Sequence, residues 1–417
     1  MTVASAVQDQ MALLAVDLIS SVVDDRFPYP PRAPAKLEGD GRLLHSNGRS
    51  SSPTLSATGS NGPIGVVLMH KVIAGVGVAF ACGLTAFGQA TQSRALSVLT
   101  QLGLTPQQVA AVDEGRPVAK VLSWGEAPEV YVFGAVRVNG SPDTYLKAAR
   151  DLTRLAGTPG YLGIGELPAT ATVADVSGLA LDPGDVKALK NCREGACDVQ
   201  LPTASMQAFH NSVSWSDAGA SDQVNRLARA MVIDLIREYR RGGNAALGTY
   251  RDKDKPARVA EQFETMVSRA AALPDVLADL RRYLLQYPDA GLPGGDSFFY
   301  WEKVNFGLKP TIRVNHEVIY HTRAEDGDIG VVAIKQLYAS HYFHTALDVS
   351  VCIPDTTKQE RPSFYLMTLK GSEQDGLTGV KGSTLRKIIV NKTRSSLETA
   401  LASIKRTVEQ SAPPSER

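Results

Sequence analysis

The 417-residue chain has only four cysteines, almost no net charge, and aromatic residues at 6% of its length. Each shortage excludes something. With 44 basic against 43 acidic side chains there is no concentrated positive surface, so nucleic acid is not an expected partner. Among the cysteines only Cys192 and Cys197 lie close together, in "NCREGACDV". Four residues separate them where redox pairs usually have two, and no second cysteine pair stands by to complete a zinc site. Haem attachment is disfavoured by the same spacing and by Asp198, which stands where a histidine is expected. A disulfide closing a small loop turned at Gly195 is the natural reading in an oxidising compartment, with a redox-active or metal-binding pair as its rival. No metal site and no cofactor is expected. A glycine-flanked serine elbow of the hydrolase kind is missing. "GGNAALGTYRDKDKP" lacks both the Lys-Ser/Thr ending and the preceding strand of a phosphate loop, and reads as a connection.

What is present first concerns address. "MHKVIAGVGVAFACGLTAFGQA" begins at Met69, with Lys71 as a positive start and Val72 to Phe87 as an uncharged apolar run. Gly88 and Ala90 occupy the two positions a signal peptidase reads, so residues 69–90 are expected to be a cleaved export signal. A retained anchor and a buried helix are the alternatives, though the glycine-rich run is marginal as a membrane span. Cys82 raises lipidation, but Ala79 stands where a larger aliphatic residue is usual, and the apolar run continues through Leu84 and Phe87. Residues 1–68 hold "MALLAVDLISSVV" and then a Pro-, Gly- and Ser-rich segment with little to bury, expected to be disordered. An export signal works poorly behind such a leader, so translation is expected to start at Met69. The protein is expected in the periplasm or outside the cell.

Beyond the signal, three stretches differ in period. Residues 91–202 mix both kinds of element. Thr105 and Pro106 open a helix stopped by Gly115, two strand-like runs follow, and Ser141 with Pro142 opens a helix expected to run to Gly157. Asp182 and Pro183 repeat the device. Residues 203–290 read as almost wholly helical, with Val224, Leu227, Met231, Leu235 and Tyr239 at helical spacing. Residues 291–417 switch to period two. "TIRVNHEVIYH" sets Ile312, Val314, His316, Val318 and Tyr320 on one face. Further strands lie in "GVVAIKQLYASHYFHTALDVSVCI" and "SFYLMTLKG", before a long final helix with Leu385, Ile389, Leu397, Leu401, Ile404 and Val408 as its apolar stripe. The chain is therefore expected to be α+β. An antiparallel sheet with a long C-terminal helix is joined by a largely helical middle region and a small mixed α/β N-terminal part.

The strand followed by "SPDTYLKAARDL", and the sheet ending in "LRKIIVNKTRSSLETALASIK", resemble the opening and closing parts of START-like helix-grip proteins, the polyketide cyclase and lipid-transfer type. The resemblance covers residues 129–156 and 297–409, with a mostly helical insertion between them. It implies a curved sheet wrapping the C-terminal helix around an apolar cavity for a lipid-like ligand. On that reading Tyr300, Trp301, His316, Tyr320, Lys335, Tyr338, Phe343 and Phe364 would face the cavity.

The residues themselves leave the chemistry open. "SFFYWEKVNFGLKP" gathers Phe298, Phe299, Tyr300, Trp301 and Phe306, a cluster that suits a core seam or a pocket lining. His316, His321, His341 and His344 cluster in sequence, but members of each pair point to opposite faces of a regular strand, which disfavours metal binding. Glu302, Glu317 and Asp348 are available as acid or base, yet nothing in their spacing selects a pair. Seven Lys or Arg against Glu398 alone in residues 381–406 make either a solvated helix face or a contact for anionic lipid headgroups. Three functions follow. The first is an exported protein binding an apolar or amphipathic small molecule. An envelope hydrolase using a histidine and a carboxylate comes second, and a structural or interaction protein third.

Overall fold

The computed structural model describes residues 94–411 except 126–127, 157–159, 271–276, 306–308, 325–326, 358–361 and 375. The expected leader (1–68) and expected export signal (69–90), with Gly157 and Phe306, lie outside the described residues.

Helix α1 (Arg94–Gln101) precedes α2 (Pro106–Asp113), which starts on a reciprocal capping box. Thr105 Oγ1 accepts the Gln108 N–H at 3.3 Å, and Gln108 Oε1 accepts the Thr105 N–H at 3.0 Å. Strands β1 (Val118–Val121) and β2 (Glu129–Asn139) follow. Helix α3 (Pro142–Arg150) ends earlier than its sequence implies. Asp151 leaves helical geometry at ψ 87° and its carboxylate accepts the N–H and hydroxyl of Thr153, which starts a short 3-10 turn instead. Strand β3 (Tyr161–Leu167) is glycine-rich and was not legible as a strand.

Helices α4 (Pro183–Leu189), α5 (Thr203–Ser212) and α6 (Ala220–Gly242) come next. The small hairpin β4 (Thr249–Tyr250) and β5 (Ala257–Arg258) closes the "GGNAALGTYRDKDKP" connection before α7 (Val259–Arg269) and α8 (Ala278–Gln286). The C-terminal part is β6 (Asp296–Val304), β7 (Thr311–Ala324), β8 (Gly327–Ala339), β9 (Phe343–Pro354), β10 (Ser363–Gln374) and α9 (Gly379–Ser411).

Eight strands form one antiparallel sheet in the order β1-β2-β10-β9-β8-β7-β6-β3. Two consequences matter. Strand β10 pairs along the whole of β2, so an early and a late strand of the chain are neighbours near the β1 edge of the sheet. Strands β3 and β6 are also neighbours, so everything from Pro168 to Gly295 is an excursion between two paired strands.

The alternation of each strand divides the sheet into two faces. Helices α3 and α9 cover the inner face, where Leu397, Leu401 and Ile404 pack on Val132, Val136 and Leu366. Helices α1, α2, α7 and α8 cover half of the outer face and α6 the rest. A satellite core joins α4, α5 and α6 around Cys192 and Cys197. All described residues fall in one compact unit, in which the first and third stretches build the sheet together and helices of the middle stretch pack on its outer face. None of the described helices is long and apolar enough to cross a membrane.

Helix α9 approaches β2 closely because Gly134 has no side chain. A Cβ there would stand 2.8 Å from atoms of Leu397 and Leu401. Gly134→Val is accordingly expected to lower stability by about 1–3 kcal/mol through overpacking, despite valine's preference for strands. Urea denaturation checks this, and an unchanged midpoint would refute the close approach.

Candidate functional site

The eight residues expected around one cavity lie on two faces. Tyr300, Phe343 and Phe364 point inward and belong to the core under α9. Trp301, His316, Tyr320, Lys335 and Tyr338 point outward beneath the excursion helices. The reason is the strand period: Tyr300 and Trp301 are consecutive, so one strand must send them to opposite sides. The space lined by Val332, Ile334, Leu397, Leu401 and neighbours, between mid-sheet and α9, is about 20 Å³, room for a single water.

The inner face does hold buried polar groups. Glu302 accepts from Asn315 Nδ2 at 3.0 Å and pairs with Arg313 at 3.2 Å, while Asp348 is tied to Lys370. Burial pushes the Glu317 carboxyl well above its usual range, with Arg150 opposing the shift. These carboxylates lie across the sheet from His316, so they cannot serve as its partners.

On the outer face His316 and Lys335 are directly opposite across β7 and β8 and both have no exposed surface. Ser297 Oγ lies 2.7 Å from His316 Nε2, with the Tyr283 hydroxyl 3.3 Å from the same nitrogen. Tyr239 Oη is 3.4 Å from His316 Nδ1 and accepts from Lys335 Nζ at 3.0 Å. Lys335 also donates to Asn244 Oδ1 and sits 3.9 Å above the Phe263 ring. Phe299 stacks on the imidazole at 4.4 Å and Tyr287 meets it at 4.8 Å. Burial drives the His316 pKa well below 6.5, and the nearby Lys335 and Arg240 lower it further. Burial alone drives Lys335 well below its ordinary value. The network is a buried, hydroxyl-linked assembly inside an aromatic shell, in which His316 and Lys335 both have hydrogen-bond partners.

His341 differs. Its Nε2 is 2.9 Å from Asp185 Oδ2, and both residues are buried. This is the one close pairing of a buried histidine with a buried carboxylate among the described residues. His321 is half-exposed near Asp143 at 3.7 Å, and His344 lies 3.8 Å from Glu373. No group of three or more metal-ligating side chains converges among the described residues.

A mainly apolar space lies between α4, α5, α6 and the outer face of β7 and β8. It encloses about 250 Å³. Leu181 and Leu201 from the loops, Phe209 of α5, Met231 and Leu235 of α6, and Tyr338 of β8 form much of its wall. Of the residues named for the predicted cavity, Tyr338 alone lines this one. Of the apolar stripe read on α6, Val224 and Tyr239 are buried, whereas Met231 and Leu235 stay half-buried at the cavity; Val232, Ile233 and Ile236, outside that stripe, are buried against the sheet. An apolar arc wider than one packing face needs was the signal available in the sequence.

The disulfide between Cys192 and Cys197 shapes one wall. Gly195 takes φ +73° in the turn it closes, as "CREGAC" implies. The Gly195 and Cys197 N–H groups donate to the Arg251 and Asp252 carbonyls, so the loop is pinned to the β4–β5 hairpin. Val199 and Leu201 then continue into the cavity lining. Comparison of the chain with protein-family models, with curated proteins and with solved structures finds no match.

Proposed function

We propose that the protein is exported and binds a small apolar or amphipathic molecule in the cavity beneath α4, α5 and α6. The observation that carries this reading is a 250 Å³ space with a wall almost wholly aliphatic and aromatic. Ligand sites are concave and mainly apolar, with few polar groups to orient the guest. The volume lies just under the usual range for drug-sized ligands, which suits a short chain or single ring better than a diacyl lipid. Export is supported by the buried Cys192–Cys197 disulfide, a bond that persists in oxidising compartments.

A helix-grip ancestry is supported by the topology. The two parts of the resemblance, β2 with α3 and β6 to α9, assemble into one sheet with a helix across it, and the excursion leaves between paired strands. On this reading the binding cavity belongs to the excursion, and the helix-side core is filled.

Ala228 on α6 lines the cavity and is half-buried. Ala228→Trp is expected to fill the space and reduce binding of 1-octanol more than tenfold, because the guest loses its apolar burial. Calorimetric titration of both proteins checks this. Equal affinity in a folded variant would place the guest elsewhere.

A further inference from the structure

We infer that the guest is cationic, a short alkylammonium-type amphiphile whose charged end rests at Glu238. This inference rests on the cavity reading above and adds the chemistry of the ligand's polar end.

Among the residues lining the cavity only Asp234 and Glu238 are exposed, so the opening lies beside them. They stand one turn apart on α6, where side chains four apart share a face. Their carboxylates are not equivalent. Asp234 Oδ1 accepts from Arg237 Nη1 at 2.6 Å, which neutralises it. Glu238 has no hydrogen bond or ion pair among the described residues. No lysine, arginine or histidine lines the space. Of the cations nearby, Arg229 donates to the Leu179 carbonyl, Arg240 to the carbonyls of Leu167, Pro168 and Ala169, and Lys253 to the Cys197 carbonyl, while Arg241 is exposed and lies outside the cavity wall.

An amphiphile must leave its polar end at the mouth while its chain fills the interior. A carboxylate-headed guest would bring its charge against Glu238 with no cation in the cavity wall to receive it. An ammonium head meets an unpaired carboxylate instead. The tyrosines of the wall, Tyr250 and Tyr338, hold their phenols protonated, because burial pushes both above the ordinary value of 10.0. They add no second charge. Since Glu238 is solvent-exposed, its contribution is modest, about fivefold in affinity for a single exposed pair, and it weakens with salt.

The test is a calorimetric titration of the purified chain with octylammonium, octanoate and 1-octanol at low salt, repeated with Glu238→Gln. Octylammonium is expected to bind up to about fivefold tighter than octanoate, and Glu238→Gln is expected to erase that preference while 1-octanol affinity stays the same. Glu238 is exposed and unpaired, so the variant should fold like the parent. Octanoate binding as tightly as octylammonium would overturn the charge inference and leave the cavity reading intact. Persistence of the preference in Glu238→Gln would overturn the assignment to that residue. If none of the three probes binds, the cavity reading falls, and this inference with it.

Discussion

Lys335→Met is expected to stabilise the protein at pH 7 by about 1–3 kcal/mol, on the order of the cost of burying a polar group, since burial opposes the charged amine. Lys335 has no exposed surface, and its contacts are the Tyr239 hydroxyl, Asn244 Oδ1 and the Phe263 ring, with no carboxylate among them. Burial therefore holds its folded pKa well below the ordinary 10.5. In the unfolded chain the amine binds a proton readily below 10.5. Between the two values the unfolded state carries the extra proton, so stability rises with pH and falls as pH drops. The slope attributable to this one group is at most about 1.4 kcal/mol per pH unit. Methionine fills a similar volume, removes the titration, and leaves Tyr239 in contact with His316. Asn244 is half-buried, and its Nδ2 keeps its bonds to the Leu284 and Leu285 carbonyls. Denaturation at pH 7 and pH 9 checks both parts. The variant should be the more stable at pH 7, with the gap narrowing at pH 9. A variant less stable at both values would mean that the bonds of Lys335 outweigh the cost of its burial.

How much of this was legible beforehand depended on whether the pattern was local. The capping residues Thr105 and Ser141, the prolines behind them and the period-two run of β7 each act within a few residues, and the elements they announce are present. The α+β class, the antiparallel sheet and the long final helix were readable for the same reason. So was the Cys192–Cys197 loop, whose turn residue Gly195 lies inside it. The two-faced distribution of the aromatic residues could have been read from Tyr300 and Trp301 being adjacent, but the expected cavity united them. Three features were not local. The early end of α3 depends on the Asp151 carboxylate choosing the next turn over the helix. The cavity wall combines residues from Leu179 to Tyr338, and no short window contains it. The pairing of His341 with Asp185 bridges 156 positions of sequence. Glu238 is an ordinary exposed residue on a helix until the structure shows what opens beside it.

Trp301→Ala is expected to lower stability by about 3–5 kcal/mol and to weaken ligand binding at the same time. The sequence reading placed Trp301 as a ligand contact, and the two roles predict different outcomes. The ring is 3% exposed and lies over three glycines of β3 and the loop that follows. A Cβ at Gly165 would stand 2.6 Å from the indole nitrogen, and one at Gly163 3.0 Å from the ring. This close approach accounts for the glycines that hid β3 in "YLGIGEL". The indole N–H donates to the Asp175 carbonyl at 3.2 Å, which fixes the 3-10 turn Val173–Val176 against the sheet. Leu179 and Leu181, a few residues on, form part of the cavity wall. Removing the ring therefore frees the strip that carries this wall, and binding fails because the wall moves. A direct ligand contact would instead lose affinity with stability largely kept. Trp301→Phe separates the cases further: it keeps most of the buried ring but loses the bond to Asp175, at a cost of about 1–3 kcal/mol. Urea denaturation and 1-octanol titration on both variants give the answer. Loss of binding in Trp301→Ala with less than about 1 kcal/mol of destabilisation would return Trp301 to the ligand and remove it from the scaffold.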